Sequence, residues 1–239
     1  MYSAENYHEV HYEELQSEGR YGASARLARR LVGSRRTLLD FGCGNGSFLV
    51  AAAKEGFEVT GVEYEPSAIE NAARKSGLPV MSLEEVRARA LRPEVIHVGD
   101  VLEHLPDPVG VMRVLEGLLA PNGVLFLEGP LQSNPSLVYY VSRAVKVAKR
   151  RLGLDRAATL APTHLILVNA RAQRDFFTRT LGLRCTYFRV TESGWPYLLE
   201  TGTPRTPAGL VRAAIGLSAR VLARALPGWG NRFAAVVAR

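Results

Sequence analysis

Residues 37–46 read Thr-Leu-Leu-Asp-Phe-Gly-Cys-Gly-Asn-Gly, so that Leu38, Leu39, Asp40 and Phe41 run straight into glycines at 42, 44 and 46. A short apolar run that stops at a glycine-rich turn has the form of a buried strand whose carboxyl end receives a ligand. Glycine turns the chain sharply there and lets a ligand approach backbone that a Cβ would block. The spacing narrows the ligand. A nicotinamide or flavin fingerprint needs glycines at relative positions 1, 3 and 6; counted from Gly42, the sixth position is Ser47. The pyrophosphate reading is weakened accordingly, and no GxxxxGK[ST] stretch supports a P-loop.

On either side of the turn, short apolar runs alternate with helical patterns. Residues 22–33 read as a helix. Downstream, Ser47 to Glu55 is a helix stopped by Gly56, and Phe57 to Glu63 is a second strand. Pro66 to Ser76 is a helix with proline in its first turn and Gly77 past its end. Pro79 to Ser82 and Val95 to Val98 are the third and fourth strands. Asp107 caps a helix that begins at Pro108, in which Val109, Met112, Leu115 and Leu118 recur every three residues as a buried stripe. A Pro121-Asn122-Gly123 turn leads into the fifth strand, Val124 to Leu127. Beyond it follow a basic helix over 137–152, a helix over 170–181 with Asn169 as N-cap, a strand over 184–191, a helix over 206–226 and a last strand over 233–238. Nearly continuous apolar strands predict a parallel sheet covered on both faces. Such sheets bind ligands beyond the carboxyl ends of their strands, which directs attention to 41–46, 63–65, 82–85, 99–104 and 128–132.

Two further stretches stand at those ends. Glu63 closes the second strand, where a carboxylate can accept hydrogen bonds from both hydroxyls of a ribose; the plainer reading is an exposed strand-end glutamate. The run Gly99-Asp100-Val101-Leu102-Glu103-His104-Leu105-Pro106-Asp107-Pro108 follows the fourth strand directly. An imidazole at His104 can serve as a general base near neutral pH, or it simply packs at a helix start.

Composition excludes several classes. The chain has 239 residues, 47% hydrophobic and 22% charged, which rules out wholesale disorder and fibrous repeats. No uncharged run reaches ~18 residues, so no membrane-spanning helix is expected. Cys43 and Cys185 are too few for a disulfide framework or a cysteine-rich zinc site, and the histidines are scattered, so no metal is called for. The start MYSAENYHEV lacks the basic and apolar regions of a secretory signal, and a cytoplasmic protein is expected. The net charge of +7 is uneven: residues 142–156 carry Arg143, Lys146, Lys149, Arg150, Arg151 and Arg156 against Asp155, whereas residues 1–20 are acidic.

Together these stretches resemble the class I S-adenosylmethionine-dependent methyltransferases, in the branch that holds ubiquinone-biosynthesis and sugar or natural-product O-methyltransferases. LLDFGCGNGSFL is similar to the first motif of that family, VTGVEYEPSAIENA to its second-strand motif, VIHVGDVLEHLPDP to its fourth-strand motif and LLAPNGVLFLEGP to its fifth-strand region. Pro162-Thr163-His164-Leu165 and the closing NRFAAVVAR resemble the segments around the sixth and seventh strands.

The resemblance implies an α/β fold: a doubly wound, seven-stranded, mostly parallel sheet of order 3-2-1-4-5-7-6 with strand 7 antiparallel and with helical insertions. It implies one methyltransferase domain over 1–239, with a helical cap at 1–36, a cofactor-binding half at 37–130, and acceptor-site insertions at 131–168 and 200–228. It further implies S-adenosylmethionine as cofactor, approached by Gly42, Cys43 and Gly44. Asp40 would order the loop and help hold the amino group, and Glu63 would bind the ribose with Tyr64 beside the adenine. Ser82 and Leu83 would flank the adenine edge. Gly99, Asp100 and Val101 would face the methionine end. Relatives place an acid directly after the third strand, whereas here Ser82-Leu83 precede Glu84-Glu85.

The implied reaction is methyl transfer to a small-molecule hydroxyl of a sugar, quinol or natural product. His104 is then the first choice of base, His164 the second and Glu128 a third. Nucleic acid is disfavoured as acceptor, because Gly-Asp-Val-Leu stands where base-modifying relatives carry Asp/Asn-Pro-Pro-Tyr/Phe. A non-catalytic cofactor binder is disfavoured by the intact glycines and Glu63. The basic segment 142–156, with Val141, Val145, Ala148 and Leu152 at helical spacing, is expected to lie over the acceptor pocket and to favour an anionic or membrane-associated acceptor, with the protein peripheral to the membrane. The competing reading is a solvated lid helix.

Overall fold

The computed structural model describes residues 18–153, 164–194 and 206–239. Of the expectations above, those on the acidic start, on Pro162-Thr163 and on residues 154–156 and 200–205 lie outside the described residues. In chain order the elements are α1 (Glu18–Val32), β1 (Thr37–Phe41), α2 (Ser47–Lys54), β2 (Glu58–Val62), α3 (Pro66–Ser76), β3 (Val80–Met81), α4 (Leu83–Ala88), β4 (Val95–Gly99), a 3-10 turn (Leu102–His104), α5 (Pro108–Leu118), β5 (Val124–Pro130), α6 (Leu137–Arg151), α7 (Ala170–Asp175) continued by a wider turn (Phe176–Thr180), β6 (Arg184–Thr191), α8 (Pro207–Ala225) and β7 (Arg232–Ala238). The seven strands are ordered β3-β2-β1-β4-β5-β7-β6, the order expected, and β7 runs antiparallel to β5 and β6. The chain divides into two compact units: a first that runs to His97 and takes in Leu118–Val124, and a second of Val98–Gly117 with Leu125–Arg239.

In the first unit, β1 and β2 are parallel with Phe41 level with Val62, so the glycine turn after β1 begins beside Glu63. The turn is pinned there, because the N–H groups of Gly42 and Cys43 both donate to the Val62 carbonyl, at 2.9 and 3.1 Å. Leu38, Leu39, Leu49 and Val62 are buried between sheet and helices. Gly61 is a glycine for lack of room: a Cβ would lie 2.7 Å from Leu49 Cδ1 and 2.8 Å from Cys43 Sγ.

Two local expectations change. Helix α4 was not expected; the strand anticipated over 79–82 is only Val80–Met81, and Ser82 starts a helix instead. The cause is a capping box, in which Ser82 Oγ accepts the Glu85 N–H at 3.2 Å and Glu85 Oε2 accepts the Ser82 N–H at 2.9 Å. In α5, Met112, Leu115 and Leu118 are buried as the period requires, but Val109 in the first turn is exposed. Asp107 caps that helix as read, its Oδ1 taking the Gly110 N–H at 2.9 Å. No helix among the described residues is long and apolar enough to cross a membrane.

Candidate functional site

The first unit builds a cradle at the carboxyl ends of β1 and β2. Gly42, Gly44 and Gly46 all adopt positive φ (74°, 56° and 81°), a path that a side chain would strain. Glu63 folds back onto this loop: its Oε1 accepts the Gly44 N–H at 2.6 Å and its Oε2 accepts the Tyr64 N–H at 3.2 Å. A carboxylate offers about four acceptor sites, enough to serve the loop and a ligand together. Among the described residues, a Cβ built on Gly44 would meet nothing within 4 Å, so the loop leaves room for a ligand to reach backbone. Tyr64, at 87% exposed, presents an uncovered aromatic face beside Glu63. Cys43 is buried in the turn, and burial pushes its thiol pKa far up, with the nearby carboxylates of Asp40 and Glu63 adding to the effect. It stays a neutral packing group. Ser82 is committed to the α4 cap and Leu83 is the first residue of that helix.

Beneath the cradle lies a pair that the sequence reading missed. Asp40 is buried at 2% exposure, and its Oδ1 accepts a hydrogen bond from His97 Nδ1 at 2.7 Å. Phe48 of α2 stacks on the His97 ring with centroids 3.8 Å apart. Asp40 therefore ties the end of β1 to β4 from inside. The signal was a lone histidine in the apolar strand Val95-Ile96-His97-Val98.

In the second unit, the chemistry gathers after β4. Asp100 sits in the left-handed region at φ 55°, with its N–H on the Glu128 carbonyl at 3.1 Å and its Oδ1 2.7 Å from Arg232 Nη2. Arg232 comes from the start of β7 and had no local signal in the sequence. The 3-10 turn after Val101 then presents Glu103 and His104. Glu103 is buried, and its carbonyl accepts the N–H groups of Leu165 and Ile166 at 2.8 and 3.2 Å, which brings His164 in beside the turn. The His104 and His164 rings meet edge to face, centroids 4.8 Å apart. His104 Nε2 lies 3.9 Å from Glu103 Oε1, and His164 Nδ1 lies 2.8 Å from the Gln132 amide. Ligand atoms of Glu103, His104 and His164 lie within 4.8 Å of one another, a set that could hold a divalent cation and that the scattered histidines did not announce. Next to this cluster is a largely apolar cavity of about 90 Å3, lined by Leu102, Ile166, Phe176 and Phe233 together with Glu103.

Burial lowers the His164 pKa from its ordinary 6.5, the neighbouring His104 lowers it further, and Asp100 works weakly the other way. As pH falls through the ordinary imidazole range, the unfolded chain takes up a proton that folded His164 refuses. Stability should therefore be full above pH ~6.5 and decline as pH falls toward the folded pKa. Urea titrations between pH 5 and 8 should show this slope in the wild type and a shallower one in His164→Gln; parallel slopes would remove His164 as its source.

A parallel sheet of this order, with a glycine turn after its first strand and an acid after its second, defines a cofactor-binding α/β protein. The model of a family described as a methyltransferase domain matches residues 15–187, and the chain belongs to that family. Among curated relatives, the ubiquinone biosynthesis O-methyltransferase of Histophilus somni (strain 2336) is 35% identical over 105 residues, which cover 39% of this chain and 44% of that one. The trans-aconitate 2-methyltransferase of Methylobacterium radiotolerans is 34% identical over 125 residues, 50% of this chain and 47% of the relative. The chain thus spans less than half the length of these relatives. A SAM-dependent methyltransferase from Archaeoglobus fulgidus shares the fold with a TM-score of 0.60 at 20% identity, covering 95% of this chain and 96% of that chain. The N-methyltransferase NodS of Bradyrhizobium japonicum WM9, solved with S-adenosyl-L-homocysteine, gives 0.52 at 16% identity over 92% and 85%.

Proposed function

We propose that the protein is an enzyme that transfers a methyl group from S-adenosylmethionine to a hydroxyl of a small-molecule acceptor. The observation that carries this reading is the Glu63 carboxylate folded onto the Gly44 N–H at 2.6 Å, with room for a ligand over Gly44. That donor set fits the cofactor: acceptor sites on Glu63 for a ribose diol, bare backbone at Gly42, Cys43 and Gly44, and the Tyr64 ring for a base. Gly99, Asp100 and Val101 are assigned to its amino-acid end. When bound, the cofactor supplies a methyl group activated by a sulfonium.

The chain's own part is to hold, orient and deprotonate. Asp40 and His97 brace the loop from within. Arg232 fixes the Asp100 carboxylate. His104 takes the acceptor's proton, and Glu103 Oε1 stands 3.9 Å from its Nε2. Burial, and after it the repulsion of a cation at His104, disfavours a charge on His164 beside it. The Gln132 amide sets the His164 tautomer: its Nε2–H donates to Nδ1 at 2.8 Å, so the neutral ring keeps its proton on Nε2. The cavity of about 90 Å3 is smaller than the ~150 Å3 that admits a benzene ring. It suits a short aliphatic substituent of the acceptor rather than an aromatic ring. The basic charge of α6 favours an acceptor that is anionic or membrane-borne, handled by a cytoplasmic protein at the membrane surface.

Calorimetry should show S-adenosylhomocysteine binding and no NAD binding; the reverse would falsify the reading. Glu63→Ala should weaken that binding by about 1.5–3 kcal/mol, the scale of hydrogen bonds to a charged group, without a change in melting beyond that of a surface variant. Cofactor turnover against sugars, quinols, carboxylic acids and RNA then identifies the acceptor class, and turnover with RNA alone would exclude a small-molecule acceptor.

A further inference from the structure

From Arg143 onward every residue of α6 is exposed, including Val145 at 43% and Val147 at 46%, and Leu152 just past its end stands at 70%. Among the described residues, nothing covers the apolar stripe of this amphipathic helix over its last two turns. Helix α8 packs against α6 and buries Gly216 and Ala219. Its outward side carries Leu210, Leu217 and Val221, each more than half exposed, at i, i+7 and i+11 on one face, with Val211 exposed beside them. The charge on both helices has one sign. Residues 137–151 hold five bases (Arg143, Lys146, Lys149, Arg150, Arg151) and 207–225 hold three (Arg212, Arg220, Arg224), with no acid in either.

We infer that the exposed faces of α6 and α8 form a docking surface for an anionic phospholipid bilayer. The inference deepens the membrane-surface part of the proposed function and is independent of the methyl transfer itself, since it uses no residue of the cofactor cradle or of the histidine cluster. Two features together select the partner. Scattered single aliphatic side chains are ordinary on a surface, but aliphatic rows along two packed helices need cover. The five bases of α6, on a helix that carries no acid, call for an anionic partner. A second copy of the chain would cover the aliphatic rows but set like charges against one another. A nucleic acid would answer the charge and leave the rows in water. A bilayer with anionic headgroups answers both, the aliphatic rows reaching the acyl boundary and the bases the headgroups.

The test is sedimentation of the full chain with phosphatidylcholine vesicles with and without 30% phosphatidylserine, at about 0.1 M and 1 M salt, where the screening length falls from ~10 to ~3 Å. The wild type should bind the phosphatidylserine vesicles at low salt and lose most of that binding at high salt. Lys149→Gln with Arg150→Gln and Arg151→Gln should weaken it about a hundredfold, on the scale of a few-fold per base near an anionic surface. Leu217→Gln with Val221→Gln should weaken it about tenfold at unchanged charge. All five positions are exposed, so circular dichroism and S-adenosylhomocysteine affinity should not move. The inference is overturned by no vesicle binding, by equal binding of both variants, by self-association in the ultracentrifuge that the Leu217/Val221 variant abolishes, or by RNA binding with none to vesicles.

Discussion

Replacing His104 with glutamine should lower kcat by 10² to 10⁴, the usual span for a general base, while S-adenosylhomocysteine affinity stays within twofold. The expectation rests on three placements. His104 is partly exposed at the end of the 3-10 turn, within reach of an acceptor. Glu103 is buried at 6% exposure with its Oε1 3.9 Å from His104 Nε2, which places a carboxylate beside the ring. His164, held by Gln132, packs against the edge of the ring and limits its rotation. A loss confined to KM would make His104 an acceptor contact and no base. If His104→Gln instead abolished binding of a divalent cation, measured calorimetrically with the metal alone, and chelation of the wild type cost the same activity, the imidazole would serve as a ligand together with Glu103 and His164. A Glu103→Gln enzyme tests the charge separately: it should retain the turn and lose part of kcat.

Asp40→Ala should destabilise the fold by about 1–3 kcal/mol, the cost of leaving a buried hydrogen-bonding group without its partner. Asp40 and His97 are both under 5% exposed, and their hydrogen bond at 2.7 Å links positions 57 residues apart in the chain. Removing the carboxylate takes the acceptor from Nδ1–H in a region water does not reach, and leaves a void beneath the glycine loop next to the Phe48 ring. Asp40→Asn keeps the shape and an acceptor oxygen, and should cost nearer 1 kcal/mol. Urea unfolding with unchanged m-values is the measurement. A cost under 1 kcal/mol for the alanine variant would mean that the pair is dispensable. A second readout follows from its position: loss of S-adenosylhomocysteine affinity in Asp40→Asn, out of proportion to its stability, would show that the charge acts on the loop itself.

Most of what could be read early was local. Helix α3 begins at Pro66 and ends before Gly77, whose φ of 68° is the left-handed stop the sequence announced. Asn169 caps α7 by accepting the Ala172 N–H at 2.9 Å, again as its position suggested. Helix α4 was equally local and was overlooked: Ser82 with Glu85 three residues on is a capping signal, but six residues are too few to show a hydrophobic period. Val109 went wrong for a different reason. Spacing places a residue on a face, whereas burial needs a neighbour over that face, and Val109 in the first turn of α5 stays 38% exposed.

The sequence by itself determined the strands, the caps, the glycine turn and the acid at the end of β2, because each depends on backbone preferences and on contacts between residues close in the chain. The strand order was implied by the resemblance of these motifs to a known family, and the sheet has that order. Tertiary structure alone decided which distant side chains meet. Asp40 finds His97 only because β1 and β4 lie side by side. Asp100 finds Arg232, 132 residues later, only because β7 enters the sheet antiparallel. His104 finds His164 only because Leu165 and Ile166 bond to the Glu103 carbonyl. Tertiary structure also decided that the apolar stripe of α6 stays exposed beyond Arg143, since amphipathic spacing predicts an apolar face but not what packs on it. In each case the contact depends on chain paths that close over long loops, and no window of neighbouring residues records where those paths return.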